Sequence, residues 1–164
     1  ISIDYLNKQI ESGIDVAMIF DTWGSLLNDE QYEKFSLRYI NKIKNAIANQ
    51  DIPLIYYVRE TGRKLEALKN LDIDVLGIDS TTDIGVIKKE IGDKFALQGN
   101  LDVNILKKDE SDIIAAIKNI LISYGSNSGH IFNLGTGITP DINPDKVKML
   151  IDNLADISSK FHVK

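Results

Sequence analysis

The chain has no cysteine. Disulfides, a thiolate nucleophile and thiolate ligation of a metal are therefore excluded within these residues, and a cytosolic setting is compatible. Histidine is almost as scarce. His130 and His162 lie far apart, and no His, Asp or Glu spacing converges as a metal site requires. No apolar run reaches the ~18 residues of a membrane-spanning helix, and no signal-peptide pattern precedes the fold. A basic stripe is missing too. Lys and Arg total 19 against 24 Asp and Glu, and they are scattered among the acids. The net charge of −5 argues against a nucleic-acid surface. No GxxxxGK phosphate loop exists, and no Ser-His-Asp arrangement stands out.

What is present is a single-domain load of apolar residues. The chain has 164 residues, 43% of them hydrophobic, which suffices for one domain over residues 1–164. A domain of that size buries roughly 70% of its unfolded surface. Its first residue is Ile rather than Met, and a helix over Ile3–Ser12 opens it with no leader, so a piece of something longer is expected. Short apolar runs then alternate with helical patterns, the mark of βαβ units. Five strands are predicted: Val16–Phe20, Leu54–Val58, Val75–Ile78, Phe95–Leu97 and Ile131–Leu134. They read as runs, as strands covered on both faces do.

Between them lie amphipathic stripes. Tyr32, Phe35, Tyr39, Ile40 and Ile43 mark one helix face; Leu65, Leu68 and Leu71 mark a second. Ile113, Ile114, Ile117, Ile120 and Leu121 mark a third, and Val147, Leu150, Ile151 and Leu154 the last. Asn28 with Asp29, and Ser111 with Asp112, fit helix starts, while Gly92 and Gly125 fit helix ends. Asn143 followed by Pro144 is a further start, with proline at the first helical position, where its missing N–H costs nothing. From spacing alone two architectures stay open. One is a closed doubly wound domain of flavodoxin type; the other is part of a (β/α)8 barrel.

In both, ligands bind at the carboxyl ends of the strands. The residues placed there are Asp21 and Thr22, Arg59 and Glu60, Asp79 and Ser80, Gln98 with Asn100 and Asp102, then Asn133 and Thr136. Each has a plain alternative. Thr22 either meets a ligand carboxylate or caps its own turn. Asp21 and Asp79 either handle protons or cap helices and pair with bases. Arg59 either clamps a carboxylate with its planar fork or pairs with Glu60 or Glu66. Gly99 stands where a Cβ would obstruct either a ligand or a tight turn, and it reads first as a turn residue. Gly135 and Gly137 make either an anion-binding nest of amides or a simple strand-to-loop turn.

These strand ends resemble one family. Ile19-Phe20-Asp21-Thr22-Trp23-Gly24 is followed in order by Phe35-Ser36-Leu37-Arg38-Tyr39 and Val75-Leu76-Gly77-Ile78-Asp79. Then come Leu97-Gln98-Gly99-Asn100-Leu101-Asp102 and Asn133-Leu134-Gly135 with Gly137, Pro140 and Asp141. This series resembles the C-terminal part of the uroporphyrinogen decarboxylases. The resemblance implies an α/β fold, a partial (β/α)8 TIM barrel comprising about the last five βα units of eight. It implies a cytoplasmic homodimeric carboxy-lyase of haem biosynthesis that needs no metal or organic cofactor. Its small-molecule substrate is uroporphyrinogen, whose four acetate arms lose carbon dioxide to give coproporphyrinogen; neither nucleic acid nor membrane is a partner.

Three substrate-binding positions follow from the resemblance. Thr22 stands where relatives bind a substrate carboxylate with Ser or Thr, and Phe20 where an aromatic lines the macrocycle pocket. Thr136 stands where relatives usually carry histidine; Thr keeps one donor but no ring and no positive charge. Ser80 is a second departure, where many relatives have Trp. The family's catalytic acid and its arginines belong to early strands outside this chain. An inactive fragment alone, or a non-catalytic remnant, is therefore a competing expectation. A related zinc methyltransferase is a weaker one, because Val58-Arg59-Glu60-Thr61-Gly62 supplies neither His nor Cys. Five strands of a barrel would also leave open sheet edges and apolar surface.

Overall fold

A computed structural model describes residues 1–47 and 51–161. It forms two compact units, Ile1–Gly77 and Ile78–Lys164. The expectation for His162 lies outside the described residues.

The first unit starts with helix α1 (Ser2–Glu11) and strand β1 (Ala17–Asp21). Helix α2 (Asp29–Tyr32) passes through a π-helical turn, Glu33–Leu37, into α3 (Arg38–Ala46). Strand β2 (Leu54–Val58), helix α4 (Thr61–Leu68) and strand β3 (Val75–Gly77) complete it. β2 pairs in parallel with β1 on one side and β3 on the other. A flavodoxin-type sheet would place its first strand between the second and third. Consecutive order is that of a barrel wall. The architecture is accordingly α/β, a partial TIM-barrel-like fold.

Every residue of β2 is buried, as its unbroken apolar run requires, whereas β1 is only half-buried. Asn28 starts α2 with a capping box: its side chain accepts from the Gln31 amide, and Gln31 returns a bond to the Asn28 amide. The helical stripe expected here holds only in part. Tyr32 and Ile40 are buried, but Phe35 and Tyr39 are exposed, and Ser36 and Leu37 face inward instead. The π turn is the cause. It inserts an extra residue into the helical repeat, so the buried face moves on by one position.

At the far end of this unit, buried Lys44 donates to Asp74 Oδ2 at 2.8 Å, and the same oxygen accepts the Leu54 amide at 2.8 Å. One ion pair thus ties α3 to the starts of β2 and β3. Burial pushes the Asp74 carboxyl up, but the Lys44 hydrogen bond, the Leu54 amide and the Lys44 charge outweigh it and hold the group below its ordinary range.

The second unit carries α5 (Ile84–Ile91), β4 (Ala96–Leu101), α6 (Glu110–Tyr124), β5 (His130–Leu134) and α7 (Pro144–Ser158). β4 and β5 pair in parallel. Its core joins Leu101, Val103, Leu106, Ile113, Ile117, Leu121, Ile142 and Leu150. Each such side chain contributes about 1.5–3 kcal/mol by leaving water. Gly92 and Gly125 end α5 and α6 as expected. Asn143 caps α7, accepting from the Asp145 amide at 2.9 Å.

Three expectations are corrected here. Helix α6 begins after Asp109 rather than at Ser111. Ile151 is exposed on α7. And β4 runs on through Gln98, Gly99 and Asn100 to Leu101, so Gly99 belongs to a strand rather than a turn. Its missing side chain serves close packing: a Cβ there would lie 2.7 Å from the Ile78 carbonyl oxygen.

Large apolar side chains remain in water, Phe20, Leu26, Phe35 and Ile122 among them. An apolar hollow of about 360 Å³, lined by Tyr5, Leu6, Met18, Ile19, Phe20 and Ile43 with three flanking residues, opens beside β1. Size-exclusion chromatography over a concentration series is expected to show self-association through such surface. A sharp monomer at every concentration would contradict this.

Acid titration tests the Lys44–Asp74 clamp. A carboxyl with a depressed native pKa adds stability that is full above its unfolded value, near 3.9, and lost as pH falls through the lower native value. Asp74→Asn should lower stability at neutral pH by about 1–3 kcal/mol. It should also flatten the fall in unfolding free energy below about pH 4.

Candidate functional site

Strand alternation sorts the first cluster. Side chains of successive β-residues point to opposite faces. Phe20 pairs in register with Tyr57, and their rings lie 5.8 Å apart at a tilt of 58°. Asp21 turns the other way, into the helix layer. There its Oδ2 accepts the Tyr56 hydroxyl at 2.8 Å and the Ser36 hydroxyl in a shorter bond. Tyr32 and Tyr56 are fully buried, with their hydroxyl oxygens 2.7 Å apart. Tyr56 spends its single proton on Asp21, so Tyr32 donates to Tyr56. Burial pushes both phenols well above their ordinary range. They remain protonated donors around the carboxylate.

Asp21 is therefore a structural anchor, and the proton-handling role considered for it has no support in this geometry. The anchor lies between Phe20 and Thr22 in the chain and fixes where the following turn begins. Gly24 lies against it: a Cβ there would sit 2.5 Å from Asp21 Oδ2 and 2.9 Å from Tyr32 Cε2. Buried Lys64 holds the far end of the turn, donating to the Leu27 carbonyl at 2.7 Å and to Asp29 at 3.1 Å. Its ammonium also stands 5.2 Å from the Tyr32 ring centre. Thr22 is half-buried at the head of this clamped turn, and Phe20 is 66% exposed.

Arg59 follows β2 as Thr22 follows β1. Neither carboxylate expected to pair with it does so: Glu60 pairs with Arg63, and Glu66 with Lys69. The guanidinium lies instead over the Trp23 ring, 5.1 Å from its centre.

The second cluster belongs to the second unit. Buried Asn100 donates to the Asp79 carbonyl at 2.9 Å and the Thr82 carbonyl at 2.6 Å, shaping the loop after β3. Asp79 is buried and accepts the Thr81 hydroxyl at 2.9 Å. The Gly135 amide donates to the Leu101 carbonyl at 2.7 Å. A Cβ on Gly135 would stand 2.5 Å from the Ser80 nitrogen, so this glycine is needed for a close backbone approach. Thr136, half-buried, follows it directly. The two departures from the family pattern, Ser80 and Thr136, thus occupy one corner.

Asp102 caps the Asn104 amide at 2.9 Å, and Asn133 accepts from the Leu134 amide at 2.8 Å. His130 begins β5, at the end opposite the candidate face. Its ring stacks on Tyr124 at 4.4 Å, and Nε2 lies 2.9 Å from the Gly99 carbonyl. Among the described residues, no three His, Asp or Glu side chains gather as metal ligands. Sequence reasoning missed the roles of Ser36 and Tyr56. The available signal was the Tyr56 hydroxyl in the apolar run of β2, since a buried hydroxyl needs a partner.

Tyr56→Phe removes the second donor to Asp21 and leaves the Tyr32 hydroxyl without its acceptor. It should lower unfolding free energy by about 1–3 kcal/mol, measured by urea denaturation. Gly24→Ala should cost a similar amount through overpacking, about 1–3 kcal/mol. If both variants unfold at the wild-type midpoint, the anchor is not stabilising.

Comparison with known proteins places this geometry. The profile of the uroporphyrinogen decarboxylase (URO-D) family matches residues 1–156. A uroporphyrinogen decarboxylase of Methylococcus capsulatus is 44% identical over 161 residues, covering 96% of this chain and 46% of the relative. One from Coxiella burnetii is 44% identical over 164 residues, covering 98% and 45%. Among solved structures, a methyltransferase from Methanosarcina mazei superposes with a TM-score of 0.82 at 21% identity, covering 96% of this chain and 46% of that one. That likeness concerns the fold. The chain spans about half the length of the curated relatives it matches. With a profile match along nearly its whole length, and with the strand-end residues carried on parallel βα units, the chain belongs to the uroporphyrinogen decarboxylase family.

Proposed function

We propose that this chain forms part of a uroporphyrinogen decarboxylase, a cytoplasmic homodimeric lyase acting on the four acetate arms of its substrate. The observation that carries this reading is 44% identity to named decarboxylases along essentially the whole chain. The geometry is compatible with it. An aromatic pair, Phe20 and Tyr57, lines the sheet face, and the Thr22 hydroxyl heads the turn just beyond it. An exposed aromatic ring at Phe20 with a hydroxyl donor just beyond it suits a pyrrole ring bearing carboxylate arms.

The chemistry proceeds without an electron sink from outside. A proton adds to the pyrrole carbon beside the acetate-bearing one, giving a cation. The bond between the arm's methylene and its carboxylate breaks, carbon dioxide leaves, and the electron pair neutralises the cation. A second proton completes the methyl group, and the first leaves the ring carbon. The protein's tasks are to orient the ring, stabilise the cation and exclude water. In this proposal Phe20 packs on the macrocycle, while Thr22 and Thr136 each donate a hydrogen bond to a substrate arm. The acid that stabilises the cation is expected from the part of the family's length that this chain does not span.

The second reading is a non-catalytic remnant, favoured by Thr136 standing where the family resemblance leads one to expect histidine. An anaerobic assay with uroporphyrinogen, its products separated by chromatography, decides between them. The chain is assayed alone and mixed with the N-terminal half of an intact relative. Coproporphyrinogen in the mixture is the expected result. No product from a mixture shown by circular dichroism and size-exclusion to be a folded complex would favour the remnant.

A further inference from the structure

We propose that Arg59 is a carboxylate-binding residue, working beside Thr22 at the end of the β1–β2 pair. The proposal deepens the decarboxylase reading and rests on it for the porphyrin class of the ligand.

Three observations carry it. First, position: Asp21 and Val58 are register partners, so Thr22 and Arg59 are each one residue past a paired strand end. Along the two strands they come two residues after the register partners Phe20 and Tyr57. Second, charge: both nearby glutamates are engaged, Glu60 with Arg63 and Glu66 with Lys69, and no carboxylate among the described residues pairs with Arg59. Third, contact: the guanidinium carbon lies over the ring of Trp23, the residue after Thr22, 5.1 Å from its centre. A contact with the ring face spends none of the five N–H donors of the guanidinium.

A guanidinium held against a ring gives up less rotational freedom when a ligand arrives, which favours a bidentate grip on a carboxylate. The backbone supports the placement. Glu60, the next residue, sits at φ 51, in the left-handed region that a non-glycine residue seldom adopts. The chain turns out of the sheet directly after Arg59, and such strained positions gather at binding sites. The ligand class is an anionic ring: a flat apolar body for Phe20 and Tyr57, with a carboxylate arm reaching Thr22 and Arg59.

Trp23 is the only tryptophan in the chain, so its emission reports on this site alone. The test titrates the chain and its Arg59→Gln and Arg59→Lys variants with three probes. These are uroporphyrin (the air-stable octacarboxylate), coproporphyrin and benzenehexacarboxylate. Affinities come from calorimetry, location from Trp23 emission, and folding from circular dichroism. Arg59→Gln should weaken uroporphyrin and benzenehexacarboxylate by about tenfold or more, Arg59→Lys by less, with circular dichroism unchanged. Wild-type affinity in folded Arg59→Gln, binding that leaves Trp23 emission unmoved, or no binding of any probe to the folded chain overturns the proposal. The two readings fail separately. If benzenehexacarboxylate needs Arg59 but neither porphyrin binds, the carboxylate site stands and the decarboxylase reading loses support. If uroporphyrin binds Arg59→Gln as well as the wild type, the reverse holds.

Discussion

The Asp21 carboxylate fixes the candidate residues of the first unit by facing away from them. In a β-strand, neighbours point to opposite faces, so an anchor at Asp21 frees Phe20 for the other face. The anchor is strong because its donors cannot leave. Its donors, Tyr56 and Ser36, are buried, Tyr32 behind Tyr56 is sealed from water, and burial keeps both phenols protonated. A charged acceptor met by buried hydroxyls is worth more than an ordinary hydrogen bond, and breaking it strands polar groups without solvent. Four elements meet there: β1, the turn at Gly24, the π-helical segment and β2.

From that point outward, each contact narrows where the turn after β1 can lie. Gly24 permits the closest approach to the anchor, and Lys64 pins the other end through the Leu27 carbonyl. Thr22 and Trp23 are held between two fixed ends, which is how a loop comes to present side chains with the precision of a strand. The second unit uses another device with the same outcome. Backbone passes against backbone at Gly135 and Ser80, and Asn100 binds two carbonyls of the neighbouring loop. There, position is set by close packing of main chains rather than by a buried charge.

Much of this was legible in the residue order. β2 matches its expected bounds, and Asn28, Asn143, Gly92 and Gly125 end or begin their helices as their chemistry demands. What misled was local regularity. The stripe through Phe35 and Tyr39 assumes an unbroken 3.6-residue period, and the π turn shifts that phase. Gly99 reads as a turn because glycine is permissive, yet it lies within β4, where another chain segment passes too close for a Cβ. Asp102 and Asn133, which the sequence places only at strand ends, bond backbone amides beside them, since a short polar side chain finds its own backbone first.

By itself the sequence determined the alternation of strands and helices, the caps that bound them, and the family to which the strand-end residues belong. Those properties arise from periods, propensities and residue order, all local or linear along the chain. Tertiary structure alone decided the roles. It turned Asp21 into an anchor through Ser36 and Tyr56, which lie 15 and 35 residues away. It placed Arg59 on Trp23 rather than on either glutamate, and Gly135 against Ser80. It also showed the barrel order that spacing alone left open and the family resemblance implied, because the position of β2 between β1 and β3 is a fact about pairing. A residue's chemistry follows from its type, but its partner follows from which strands lie side by side, and no local pattern encodes that.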